Sequence, residues 1–105
     1  MELYVITKGF FGGLFIGEVT VEEKTKTYKV TKSCMYFHKT AINKYEIDTF
    51  NNDNDMVLSF DRNKGIKIFK EGLMKKIDNL ELEYKNTRKK IEILLKDIDE
   101  IIDNS

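Results

Sequence analysis

From Leu73 onward the hydrophobic positions recur in steps of four and three. Leu73, Ile77, Leu80, Tyr84, Thr87, Ile91, Leu94, Ile98 and Ile101 keep that spacing without a miss, and all but Thr87 are apolar or aromatic. Such a repeat puts one narrow stripe on one side of a long helix, so the spacing predicts a heptad helix over residues 73–102. With Ile77 at position a, the a sites hold Ile77, Tyr84, Ile91 and Ile98, and d holds Leu73, Leu80, Thr87, Leu94 and Ile101. β-branched residues at a with Leu at d favour two parallel strands. In a parallel pair Lys76 meets Glu81 of the second helix and Glu83 meets Arg88, each contact contributing roughly a few tenths of a kcal/mol. The apolar surface widens at Met74, Leu95 and Ile102, with Leu82 and Ile93 outside the seam. That surplus needs a second surface, a larger assembly, or a helix folded back on its own β domain. Homodimerisation through the seam leads these readings. Intramolecular packing and a helix donated by a partner protein stay open beside it, as does the direction of pairing.

Residues 1–72 have the opposite pattern: short runs of alternating or β-branched residues between turn formers. Glu2–Thr7, Leu14–Val21 and Lys26–Thr31 read as strands, the last two forming a hairpin across Glu22–Thr25. Gly17 inside the second run suggests a bulge. Met35–Phe37 and Lys44–Phe50 are weaker strand candidates, Asn51–Asp55 is a polar loop, and Met56–Phe60 and Ile66–Lys70 flank Asp61–Gly65 like a hairpin. Glu71 and Gly72 close the β region, with Gly72 a candidate hinge. The fold class expected is α+β: a small SH3-like or similar β-barrel or curled antiparallel sheet at 1–72, then one long C-terminal coiled-coil helix at 73–105.

Composition narrows the function classes. The chain has 105 residues with 18 basic and 18 acidic side chains, so no whole-chain field draws it to nucleic acid or a membrane. No apolar run is long enough to span a bilayer, and the first residues lack a basic region and cleavage site typical of a signal peptide. Cys34 is the lone cysteine and has no internal disulfide partner. A cytoplasmic setting is expected. The 16 Lys, 12 Ile and 8 Asn against one Ala and no Pro follow AT-rich codons.

Candidate chemistry is sparse. His38 is the only histidine, with Cys34 four residues away, but a nucleophile also needs an oxyanion site and nothing nearby supplies one. One Cys and one His do not build a structural zinc site. Asn51, Asp53 and Asp55 have the early spacing of a calcium loop, yet Met56 and Arg62 stand where that loop needs Gly and Glu. The glycines around GFFGGLFIG lack a phosphate-binding spacing. No enzyme activity, cofactor or metal is expected. The turn does carry Phe10 and Phe11, two adjacent rings that, if exposed, make an apolar contact site; alternatively one ring plugs the barrel end. Lys8 beside those rings, and Lys26, Tyr28, Lys29 and Lys32, compose the alternative of a small nucleic-acid-binding barrel. Interspersed Glu18, Glu22 and Glu23 favour a solvated face instead.

The run VTVEEKTKTYKV at Val19–Val30, after a glycine-and-aromatic turn, resembles a stretch in small uncharacterised proteins of Firmicute phages and other mobile elements, which share the layout of a β-rich part followed by a heptad helix. The resemblance implies a context and no site residue: a non-enzymatic inhibitor of host defence, anti-CRISPR-like. Such a protein would act on a host protein or ribonucleoprotein effector; read from the residues themselves, the heptad stripe would make it a homodimer, and Phe10 and Phe11 would be its partner-binding residues.

Overall fold

A computed structural model describes residues 1–103. Six strands, β1 (Glu2–Lys8), β2 (Leu14–Glu23), β3 (Thr27–Lys32), β4 (Ala41–Asn43), β5 (Phe50–Asn51) and β6 (Met56–Ser59), precede one helix, α1 (Arg62–Asp103). The strands form a single sheet in the order β4-β3-β2-β1-β6-β5, every neighbouring pair antiparallel. The sheet is curled into a half-barrel, so the architecture is α+β as expected. The curl can be read from one ring contact. Tyr28 on β3 and Phe60 just past β6 have centroids 5.2 Å apart, although three strand spacings in a flat sheet would separate them by roughly 14 Å.

Strand alternation divides the core into two clusters. Leu3 and Val5 of β1, Val19 and Val21 of β2, Ile42 of β4 and Met56 and Leu58 of β6 share the inner side of the curl with Phe37. Ile6 and Val57 point the other way and meet Phe69, with Phe50, Ile66, Ile68 and Leu73 packed around them. β6 is buried on both sides along its whole length. The first three turns of α1 therefore form part of the core.

That placement corrects the expected start of the helix. Residues 66–70 are helical, not a strand, and Asp61–Gly65 is no hairpin turn. Asp61 caps the helix instead. Its carboxylate accepts from the Lys64 N–H at 3.1 Å, its carbonyl accepts from the Gly65 N–H at 2.9 Å, and its own N–H donates to Ser59 Oγ. An Asp at this position satisfies donors that the first turn would otherwise leave unpaired. The alternating IKIFK stretch reads equally well as Ile66, Phe69 and Leu73 at helical spacing, and the apolar sheet face decides in favour of the helix.

Gly72, the candidate hinge, is a contact residue. A Cβ placed there would lie 2.2 Å from Phe50 Cγ, and one at Gly65 would lie 2.4 Å from Ile6 Cδ1. The two glycines stand seven residues apart, hence on one side of the helix. They form the notch that lets its backbone approach the sheet.

Smaller departures lie between the strands. Lys44–Glu46 is a 3-10 turn, and of the expected 44–50 strand only Phe50 falls in a strand, with Ile47 making an isolated bridge to Leu58. Asp48 there has φ 57°, a left-handed conformation that extended alternation does not contain. Met35–Phe37 is irregular, with Tyr36 at φ 67°. Gly17 pairs regularly with Val5; the ladder's irregularity falls between Thr20 and Val21, against β3. Asn51–Asp55 is a turn in which Asn51 Oδ1 accepts from the Asp53 N–H.

Contacts divide the chain into two compact units, Met1–Leu73 and the helix from Met74 on.

Candidate interaction surfaces

The β1–β2 hairpin places Phe10 and Phe11 at its tip, 83% and 97% exposed. Neither ring plugs the barrel. They stack edge to face with centroids 5.6 Å apart, the geometry ring quadrupoles favour. The loop beneath them is tied at several points. The Gly9 N–H donates to the Gly13 carbonyl at 2.7 Å and the Gly12 N–H to the Gly9 carbonyl at 3.0 Å. Gly12 itself takes φ 87°, which costs glycine little. The Phe10 N–H donates to the Tyr36 hydroxyl at 3.0 Å, and Tyr36 in turn packs edge-on against Phe15. Tyr36, which sequence reasoning passed over as part of a doubtful strand, thus braces the hairpin from 26 residues away.

The seam divides at Leu73. Leu73 packs with the second core cluster. Ile77, Leu80, Tyr84, Thr87, Ile91, Leu94, Ile98 and Ile101 are exposed in the single chain, as are Met74, Leu82, Ile93, Leu95 and Ile102. Between Met74 and Asp103 no helical side chain is buried. Arg88 pairs with Glu92 one turn on, at 3.1 Å, a solvent-facing contact of small worth. No helix among the described residues is long and apolar enough to cross a membrane.

A third feature had no sequence signal. A cavity of about 330 Å³ opens where the 36–39 segment meets the β5–β6 end of the sheet. Phe37, Met56 and Leu58 supply its apolar part, and His38, Asn51 and Asn54 are among its polar lining. These residues come from separate segments, so no local pattern marks them. At one side Lys39 and Glu46 pair at 2.9 Å. Burial pushes the Glu46 carboxyl up, but the Lys39 ammonium and the Asn43 N–H outweigh it and hold the group below its ordinary value.

The chemical candidates fare differently. His38 is exposed and Cys34 half-buried. Burial pushes the Cys34 thiol up, away from the thiolate that a nucleophile or ligand requires. Among the described residues, no three His, Cys, Asp or Glu side chains are grouped to hold a metal ion. Beside the lysines of the alternative basic surface, Lys24 pairs with Glu22 and Lys44 with Glu23. The Tyr28 ring is packed against the inner core and Phe60, with the Lys44 ammonium over it. It is not free for a base to stack on.

No protein-family model matches the chain, and no curated protein or solved structure is significantly similar to it.

Proposed function

We propose that this chain is a non-enzymatic interaction protein that pairs with a second copy through its helix and presents Phe10 and Phe11 to a host macromolecule. The observation that carries the reading is the uncovered seam: a four-heptad stripe whose members beyond Leu73 are all exposed in the single chain. Monomeric proteins rarely leave a long contiguous apolar strip in water, and a heptad strip is shaped for another helix. The solvent-facing phenylalanine pair, on a loop whose backbone is held by hydrogen bonds, supports the second half of the reading, because large aromatic side chains are the usual anchors of an interface. The resemblance of Val19–Val30 to phage and mobile-element proteins suggests the class of target, a host-defence protein or ribonucleoprotein that the chain would inhibit by occupying a surface.

Sedimentation equilibrium at micromolar concentration tests the pairing, and a chain that stays monomeric ends it. The contact site is tested by Phe10→Ala with Phe11→Ala, which should abolish capture of the host target and leave the thermal melt nearly unchanged. Salt-sensitive association of the wild type with single-stranded DNA would move the reading to nucleic acid.

A further inference from the structure

The helix stripe changes width along its length. After Met74 at the start, position e of the heptad is Glu81 and then Arg88, but Leu95 and then Ile102 in the second half. Ile91, Leu94, Leu95, Ile98, Ile101 and Ile102 are all exposed in the single chain. A two-stranded coil buries a and d and leaves e at its rim. A face made of a, d and e is the width a helix turns toward the core of a four-helix bundle.

Charge is also uneven. Lys85, Arg88, Lys89 and Lys90 crowd the middle of the helix, and Asp97, Asp99, Glu100 and Asp103 crowd its end. In a parallel pair the acidic ends of the two copies lie at the same level, Asp97 at g beside the seam and Asp99, Glu100 and Asp103 at b, c and f, and Lys96 is the one base in residues 91–103. Two such pairs laid antiparallel over residues 85–103 bring each acidic end against the basic middle of the opposing pair. The same overlap sets the Leu95 and Ile102 side chains between the pairs, where water is excluded.

We propose that two helix pairs associate over residues 85–103 into an antiparallel four-helix bundle, so that the partner of the wide face at 91–102 is a second pair of this same chain. The inference rests on the pairing given above as the proposed function. Substitution at Leu95 separates the two interfaces. In the parallel pair its position faces Lys90 of the second copy, so Leu95→Glu adds an attractive contact within the pair while placing a carboxylate in the centre of the bundle.

The test is sedimentation velocity of the full chain at micromolar concentration, with circular dichroism to confirm that the helix persists. The wild type should sediment as a tetramer and Leu95→Glu as a dimer. A wild-type dimer or trimer overturns the bundle and leaves self-association standing, whereas a wild-type monomer overturns both. A Leu95→Glu chain that remains tetrameric also overturns the assigned face.

Discussion

Residues 62–73 and 74–103 belong to one α-helix, yet only the first stretch has buried residues, Gly65 and Phe69. Both stretches are amphipathic. The difference lies in the surface each is built to meet. The first carries two glycines seven residues apart that admit Ile6 and the Phe50 ring close to the helix backbone, so its apolar side fits a sheet. The second has no glycine and carries apolar or aromatic side chains at every a and d site but Thr87, the side chains that the proposed pairing would set against another helix. Periodicity alone thus identifies a face to be buried, and the small residues within it help to say against what.

The contrast can be broken most strongly at the sheet-facing stretch. Phe69→Ala should cost about 3 kcal/mol of the stability of Met1–Leu73, read as a lowered urea midpoint, because it empties the centre of the second core cluster. Gly72→Ala comes next. Alanine gains about 1 kcal/mol in helix propensity, but forcing a methyl into the Phe50 ring costs about 1–3 kcal/mol, so the net change should be a loss. Adding Phe50→Ala should restore part of that loss; two purely additive losses would show that the notch does not operate. In the seam, Ile91→Asp with Ile98→Asp should leave the urea midpoint of the β unit within about 0.5 kcal/mol of wild type while abolishing self-association by sedimentation. A large fall in β-unit stability would mean that the two stretches are not distinct in kind.

The smallest effect concerns Asp48, whose carboxylate pairs with Lys64 on the first turn of the helix at 3.0 Å. Burial pushes this carboxyl up, but the Ser59 hydroxyl and the Lys64 ammonium outweigh it, and the group sits below its ordinary value. A depressed folded value means that the contribution is fully present above about pH 4, the unfolded value, and is lost as pH falls through the folded one. Asp48→Asn should flatten that part of the stability profile below pH 4; an unchanged slope would assign it to other carboxylates.

How far the sequence could be read follows from the same physics. The helix over 73–102 was legible because a seven-residue repeat sustained over four heptads has few competing explanations. The β1–β2–β3 meander was legible from alternation, although the turn expected at Glu22–Thr25 falls later, between the end of β2 at Glu23 and the start of β3 at Thr27. The start of the helix was obscured because Asp61–Gly65 contains the residues of a tight turn, and because Ile66 and Ile68 alternate with lysines. The overlooked signals were Asp61 as a helix cap and the three-then-four spacing of Ile66, Phe69 and Leu73. At Lys44–Phe50 the alternation was real but the backbone turns at Asp48, a residue whose short side chain tolerates positive φ. Phe10 and Phe11 could be named from sequence, but their exposure could not: it depends on Tyr36, which reaches the loop only through the fold. The cavity beside His38 lay wholly beyond local pattern.

The Tyr36 hydroxyl bond to the Phe10 amide bears on the proposed recognition. A hairpin tip fixed in this way loses its freedom when the protein folds and has little more to lose when a target arrives. The two rings should then act as a stiff key: quick to engage a groove of matching outline, intolerant of one slightly too narrow, and weakened by Tyr36→Phe even though no atom of Tyr36 need touch the target.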